Sequence, residues 1–233
     1  MISTYIRIDI TKQVKTDFQA SYRQLRETLR RIPGNHLWFC GVNAPGQQPV
    51  RFEQEDIALP RLRKRSELLG STSFGAYVSS DNATRRFPGL IEIDYNPECS
   101  YMTISVYRPD EVKANPTPIV SDILLAVLEG EPGITFAFAD VYDKVDGAFK
   151  YYRTAHATFP HRKCLGWMAY VPETVTHEQL PLAAAILPAP GGSIIVSIDE
   201  AFNLADTHHI QRANQIEMDM SDLELLPVID PTF

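Results

Sequence analysis

Hydrophobic and polar residues alternate at the start of the chain, with the period of two that a half-buried strand requires. Ile6, Ile8 and Ile10 fall on one side of this pattern, whereas Arg7 and Asp9 fall on the other. Other short apolar runs bounded by turn residues predict strands in the same way. They cover residues 36–42, 74–79, 90–95, 101–107, 134–142, 164–171 and 193–198.

A period near 3.6 residues marks the helices. The first begins at Thr16 and Gln19, which have the spacing of a capping box. Its apolar stripe consists of Phe18, Tyr22, Leu25 and Leu29. A short basic helix is predicted over 60–69, and Thr117 followed by Pro118 predicts the start of another, because Pro is favoured at the first helical position.

Two further helices are predicted in the last third of the chain. Thr176 and Gln179 repeat the capping-box spacing, although Pro181 shortens or tilts any helix that begins there. The last helix is predicted from Asp206 onward. Its apolar stripe consists of Ile210, Ala213, Ile216 and Met220. Apolar and acidic residues also alternate over 216–220, which favours a strand, but the longer window favours a helix.

Helices and strands are mixed along the chain without regular βαβ alternation. This order predicts an α+β fold with a mostly antiparallel mixed sheet flanked by about four helices. We expect residues 1–233 to form a single globular domain. Two tightly packed lobes that meet near residues 108–118 are the alternative organisation.

The composition is that of an ordinary globular protein, with 44% hydrophobic and 22% charged residues. No apolar run approaches the ~18 residues of a membrane span, and the first ten residues lack the features of a secretory signal. The three cysteines form no paired spacing, which is typical of reduced thiols in a cytoplasm. We therefore expect a cytoplasmic protein that binds neither a membrane nor, at a pI near 5.4, nucleic acid.

The negative charge is concentrated at the end of the chain. From Asp199 onward there are eight acidic residues and one basic residue, so this segment accounts for the whole formal net charge of −7. Such local acidity predicts a surface for a positively charged partner. The basic cluster Arg61, Arg63, Lys64 and Arg65 is predicted to be a solvated helix face, and it is also the alternative, internal partner for these acids.

Few residues outside the acidic segment suggest chemistry. Cys40 and Cys164 fall in predicted strands, where a cysteine usually acts as a small hydrophobe, although a histidine supplied by the fold would make either a nucleophile. The histidines near Cys164 and the adjacent His208 and His209 do not match the spacing of zinc ligands. The Gly191-Gly192 pair precedes a strand, unlike a phosphate-binding loop. No metal, cofactor or catalytic set is predicted.

The order of motifs in the last third resembles a known family. GWMAYVP is followed by a predicted Leu-Pro-Ala helix, a GGSIIVS strand and HHIQRAN, which runs into an acidic helix that ends in LLP. This order is similar to the immunity protein 52 family of bacterial polymorphic-toxin systems, over roughly residues 137–227. The resemblance implies a protein that neutralises a cognate toxin encoded by the adjacent gene, with nucleases among the associated toxins and type VI secretion among their delivery routes.

Three hypotheses follow from these observations. The first is an immunity protein, not an enzyme, that binds a cytoplasmic-acting toxin stoichiometrically and blocks its active site or substrate groove. Its predicted contact residues are Asp199, Glu200, Asp206, Glu217, Asp219, Asp222 and Glu224. The second is a small cytosolic cysteine-dependent hydrolase or transferase. The third is a general interaction module or oligomeric scaffold, and the pattern of residues does not specify an oligomeric state.

Overall fold

A computed structural model of the protein describes residues 3–10, 17–34, 36–41, 48–78, 87–145 and 148–232. Within these residues the chain forms a single α+β domain with ten strands in one sheet, which confirms the predicted fold class. The strands are β1 (Ser3–Ile10), β2 (Phe39–Cys40), β3 (Phe74–Tyr77), β4 (Ile91–Asn96), β5 (Tyr101–Tyr107), β6 (Ile134–Val145), β7 (Ala148–Tyr151), β8 (Met168–Val171), β9 (Ala185–Ala189) and β10 (Gly192–Val196).

Six helices accompany the sheet in the described part of the chain, and four of them are longer than one turn. They are α1 (Phe18–Arg31), α2 (Glu55–Leu69), α3 (Pro109–Val112), α4 (Thr117–Gly130), α5 (Tyr152–Ala155) and α6 (Thr207–Asp222). The described helices do not combine the length and apolarity that a membrane span requires.

The strand order is β2-β3-β4-β5-β1-β6-β8-β10-β9, and β7 pairs with β6 outside this path. All of these strand pairs are antiparallel. The N-terminal strand β1 therefore lies inside the sheet, hydrogen-bonded to β5 on one side and to β6 on the other. Because these neighbours lie on either side of residues 108–118 in sequence, β1 joins the two parts of the chain in one continuous sheet.

The alternation predicted for β1 separates the two faces of the sheet. Ile6 and Ile8 are fully buried on one face and share a hydrophobic core with the buried residues of α1 and α4, two helices that pack against each other. On the other face, the side chains of Arg7 and Asp9 remain 37% and 21% exposed. Phe138, which pairs with Arg7 on this second face, is fully buried. Among the described residues, the second face is therefore covered at Phe138 of β6 and only partly covered at Arg7 and Asp9 of β1.

Several predicted boundaries are corrected by local chemistry. The cap of α1 is Asp17, whose carboxylate accepts a 2.9 Å hydrogen bond from the backbone N–H of Ala20. Thr16 lies outside the described residues. α2 begins at Glu55, five residues before the predicted start, and includes Pro60 in its second turn. The strand predicted over 36–42 is reduced to β2 among the described residues.

The helix predicted after Thr176 is wrong. The side chain of Gln179 does accept a 3.0 Å hydrogen bond from the backbone N–H of Thr176, as in a capping box, but the chain makes only a turn there. Pro181 has no N–H to continue a helix, and the residues that follow form the edge strand β9, which the sequence pattern missed. The short strand β7 was also missed. By contrast, α6 confirms the helix predicted for the last third over the competing strand.

Two glycines of the motifs in the last third have structural roles. Gly166 of GWMAYVP has a positive φ of +60°, and a Cβ there would lie 2.6 Å from the carbonyl oxygen of Ala139. At Gly192 of the GGSIIVS strand, a Cβ would lie 2.0 Å from the carbonyl oxygen of Val171. Both motifs therefore include positions where strands approach too closely for any side chain.

Candidate partner-binding surface

Helix α6 carries most of the predicted contact residues and presents two distinct sides. Its buried residues are His209, Ala213, Ile216, Glu217 and Met220. The exposed side includes Gln211, Gln215, Met218 and Asp222, residues spaced three or four apart. Because Glu217 lies on the buried side, the acidic residues of this helix do not form a single face.

Glu217 lies inside the protein and is the correction to the predicted contact set. It is 1% exposed, and its two carboxylate oxygens accept hydrogen bonds from the backbone N–H groups of Thr158 (2.8 Å) and Leu165 (2.9 Å). Burial raises its pKa, while these hydrogen bonds act in the opposite direction. Glu217 therefore fastens α6 to residues 158–165 and is not available to a partner. Helical spacing places Glu217 on the same side as Ala213 and Met220, so the apolar stripe was the signal of its burial, whereas its charge alone put it in the predicted contact set.

At the N-terminal end of α6, the side chains of Asp206 and Glu200 hold the local structure together, whereas Asp199 takes part through its backbone. Asp206 caps the helix by accepting a 2.8 Å hydrogen bond from the N–H of His208. His209 Nδ1 accepts from the N–H of Asn203 (3.1 Å), so the neutral ring carries its proton on Nε2, which lies 3.1 Å from Glu200 Oε1. Asp199 is exposed beside these residues, and its backbone oxygen accepts from the side chain of Asn115.

At the C-terminal end of α6, the carboxylates have no such structural use. Asp219 and Asp222 lie in the last turn and Glu224 follows the helix with a positive φ of 59°. No ion pair or side-chain hydrogen bond of these carboxylates is found among the described residues. Two apolar residues, Met218 and Leu223, are 41% and 38% exposed beside them. We call these five residues the acidic end of α6.

The helix dipole makes this placement unfavourable. The C-terminal end of a helix carries the equivalent of about half a negative charge, so a carboxylate there costs roughly 0.3–1 kcal/mol. The last turn of α6 contains no basic residue to offset this effect. Residues that destabilise their own helix are expected at functional sites, so the carboxylates at the end of α6 are candidates for a role in binding.

The two groups of carboxylates are separated by the length of the helix. α6 has 16 residues, and a rise of 1.5 Å per residue places its ends about 24 Å apart. The predicted contact set therefore divides into a structural group at the N-terminal end, the buried Glu217, and the acidic end of α6. Of these, the acidic end is the group of neighbouring carboxylates that are unpaired among the described residues, while Asp199 is exposed near the other end of the helix.

The basic cluster of α2 does not neutralise this surface. Arg61 donates to the backbone oxygen of Gln48 (2.8 Å), the Arg63 guanidinium lies 4.8 Å from the centre of the Phe18 ring, and Arg65 lies 3.5 Å from Asp94. The partners of these three arginines all belong to the N-terminal half of the chain. The internal pairing that would have explained the acidic segment is therefore absent from the described contacts.

Burial disfavours the cysteine-based chemistry considered above. Cys40 is fully buried, and burial raises the pKa of its thiol to about 12. Burial also raises the pKa of Cys164 well above its ordinary value. A nucleophilic cysteine needs a lowered pKa, so neither buried thiol is activated in this structure. The described residues contain no group of three or more His, Cys, Asp or Glu side chains placed to hold a metal ion.

Sequence patterns missed an aromatic cluster on the second face of the sheet, in which Phe149 is exposed, Tyr151 is half-buried and Tyr142 is buried. Tyr142, Phe149 and Tyr151 on the β6–β7 hairpin form an aromatic cluster with ring centres 5.1–6.5 Å apart. The strand register places Tyr5 and Arg7 of β1 on the same face. The alternation around Ile6 and Ile8 implies that Tyr5 and Arg7 point away from the core, but only the tertiary structure shows that this part of the face is partly covered.

Comparisons with known proteins show no family for this chain. No family model matches the chain, and no curated protein matches it. One solved structure that aligns with the chain is the Pseudomonas aeruginosa T6SS protein PA0821, at a TM-score of 0.49 and 13% sequence identity, over 94% of this chain and 76% of that chain. Membership of the immunity protein 52 family stays a prediction from the motifs of the last third.

Proposed function

We propose that this protein is an immunity protein that binds a cognate toxin one-to-one and blocks its active site or substrate groove. The observation that carries the proposal is the acidic end of α6, where Asp219, Asp222 and Glu224 are unpaired among the described residues and oppose the helix dipole. The motif resemblance to the immunity protein 52 family supports the same function. The partner is the product of the adjacent gene, delivered by a polymorphic-toxin or type VI secretion system.

The chemistry of the surface indicates a nuclease as the toxin. An enzyme that cuts nucleic acid needs Lys and Arg side chains that contact phosphates, and these side chains attract carboxylates equally well. Carboxylates at the acidic end would steer association and compete with the phosphate backbone. Met218 and Leu223 would supply the apolar contacts that interface centres usually contain.

The first test is co-expression with the product of the adjacent gene. We expect survival of cells that produce both proteins, and co-elution of the two on a sizing column as a complex that salt weakens. Growth arrest despite a folded, soluble partner, together with the absence of a complex, would exclude the proposed function.

A charge-reversal variant locates the binding surface. Asp219→Lys/Asp222→Lys should slow association at least ~10-fold at low salt and reduce its salt dependence, because steering depends on these charges. The matched control is Glu173→Lys/Glu178→Lys, which makes the same charge change at exposed residues between β8 and β9. Equal association rates for the two double variants would show that the acidic end is not the contact surface.

A further inference from the structure

An apolar cavity of about 250 Å³ lies between the sheet and the helices α3 and α4. The sheet contributes Ile91 of β4 and Val106 of β5, which are paired directly across the two strands. Helix α4 contributes Ile119 and Ile123, one helical turn apart, and α3 contributes Val112. An apolar cavity of about 150 Å³ is enough to bind benzene, so this one has room for a branched aliphatic group.

Three residues that line the cavity are exposed and mark its opening to solvent. Val112 is 54% exposed, and both Lys113 and Asp122 are exposed as well. Lys113 follows α3 directly, whereas Asp122 lies on α4, next to Ile123. A positive and a negative side chain from two different elements therefore line one apolar cavity.

The charges of Lys113 and Asp122 are not matched within the protein. Neither side chain forms an ion pair or a hydrogen bond among the described residues, and the two do not pair with each other. The remaining polar side chain of the cavity with a ring nitrogen, His36, already uses its Nε2, which lies 2.8 Å from the carbonyl oxygen of Pro33. A ligand with one positive and one negative group would pair with both free charges.

We propose that this cavity binds a small zwitterion with a branched aliphatic side chain, that is, a free aliphatic amino acid. The carboxylate of the ligand pairs with Lys113, its ammonium group pairs with Asp122, and its side chain lies against Ile91, Val106 and Ile119. An apolar lining with a few convergent polar groups is typical of sites for small molecules. The inference does not rest on the proposed function, because the cavity shares no residue with the acidic end of α6.

Titration of the full chain with leucine and two analogues tests the proposal, followed by NMR of labelled isoleucine and valine methyl groups. Leucine should shift the methyl signals of Ile91, Val106, Ile119 and Ile123. Leucinamide lacks the carboxylate and N-acetyl-leucine lacks the ammonium group, so each should bind about 3-fold more weakly, as expected for the loss of one exposed ion pair. A pH of about 6 keeps the free amino groups protonated.

Two variants at exposed positions assign each charge to its partner. Lys113→Gln should bind leucine and leucinamide equally, because the partner of the carboxylate is gone. Asp122→Asn should bind leucine and N-acetyl-leucine equally, for the corresponding reason. The matched controls are Lys150→Gln and Asp56→Asn, which make the same changes at exposed residues of β7 and α2 and should keep the preference for leucine. Melting temperatures should show that all four variants are folded.

Three results would overturn the inference, and none of them bears on toxin binding. The first is that leucine leaves the methyl signals of the cavity unchanged. The second is that the wild type binds leucine and both analogues equally, which would show that the two charges take no part. The third is that octanoate binds in the cavity, that Lys113→Gln abolishes this binding and that leucine does not displace it. That result would assign the cavity to an anionic amphiphile.

Discussion

Glu217 in the middle of α6 accepts a 2.9 Å hydrogen bond from the backbone N–H of Leu165, a residue 52 positions earlier in the chain. Its other oxygen accepts from Thr158. The hydroxyl of Tyr152 and the side-chain amide of Asn214, one turn earlier in α6, lie 2.8 Å apart and add a second link. The helix that presents the acidic end is therefore positioned by polar contacts within the protein.

Replacement of Glu217 should destabilise the fold strongly. Glu217→Ala leaves two backbone N–H groups without acceptors, so we expect the free energy of unfolding to fall by roughly 3 kcal/mol. Glu217→Gln keeps one acceptor oxygen and should lose less. Urea titration measures both changes, with the exposed Gln215→Ala as the control at about 0.5 kcal/mol or less. A loss as small as that of the control would show that Glu217 does not hold α6.

Glu131 should make stability decrease with rising pH. It is 3% exposed, Tyr95 donates to its Oε2 at 3.2 Å, and burial raises its pKa to about 7. The folded state therefore keeps the proton between about pH 4.5 and 7 while the unfolded chain has lost it. This contribution is complete below pH 4.5 and disappears as pH rises through about 7. In urea titrations, Glu131→Gln should gain stability relative to wild type on going from pH 4.5 to pH 8, and a pH-independent difference would contradict the assignment.

Neutralisation of the acidic end should stabilise the protein and weaken its function at once. Asp219→Asn/Asp222→Asn removes two carboxylates from the negative end of the dipole, so the free energy of unfolding should rise by about 0.5 kcal/mol per site. The same variant should associate more slowly with the toxin. Thermal unfolding and association kinetics are measured side by side, and Glu173→Gln/Glu178→Gln should change neither. A less stable Asn variant would refute the dipole argument.

Gly166 and Gly70 both have a positive φ, so comparing their alanine variants separates backbone strain from the steric clash of an added Cβ. Gly166→Ala should be the more harmful substitution, because its Cβ would meet the carbonyl oxygen of Ala139 at 2.6 Å. Gly70 is the C-cap of α2 at φ +68°, and a Cβ added there would meet no described atom within 4 Å. Gly70→Ala should therefore cost only about 1 kcal/mol of backbone strain. Melting temperatures compare the two. Equal losses would mean that backbone conformation alone requires glycine at Gly166.

The cysteines should differ in their accessibility to alkylation. Cys99 is exposed, whereas Cys40 and Cys164 are buried with raised pKa values. In the native protein, iodoacetamide should therefore modify Cys99 first, and the other two only after unfolding, as followed by mass spectrometry. We expect the alkylated protein to bind the toxin normally. Rapid modification of Cys40 or Cys164 would revive the cysteine-enzyme hypothesis.

The sequence by itself determined the elements whose chemistry is local. The alternation around Ile6 and Ile8 predicted β1, and the stripe that includes Ala213 and Ile216 predicted α6. A strand repeats every two residues and a helix every 3.6 residues, so an element with one face in the core and one in solvent shows its period in the sequence. The failed helix after Thr176 had the correct local hydrogen bonds, but Pro181 and the pairing of β9 with β10 outweighed them. The acidity of the last third was likewise visible from composition.

Only the tertiary structure decided which of those charges are available. Glu217 and Asp222 are indistinguishable as acidic residues in the sequence, yet one is buried against Thr158 and Leu165 and the other is exposed. The aromatic cluster depends likewise on partners distant in sequence, since the pairing of β6 with β7 brings Tyr142 opposite Tyr151 and the pairing with β1 places Tyr5 on the same face, opposite Asp140. Burial and long-range pairing are properties of the assembled chain, and no local pattern of residues specifies them.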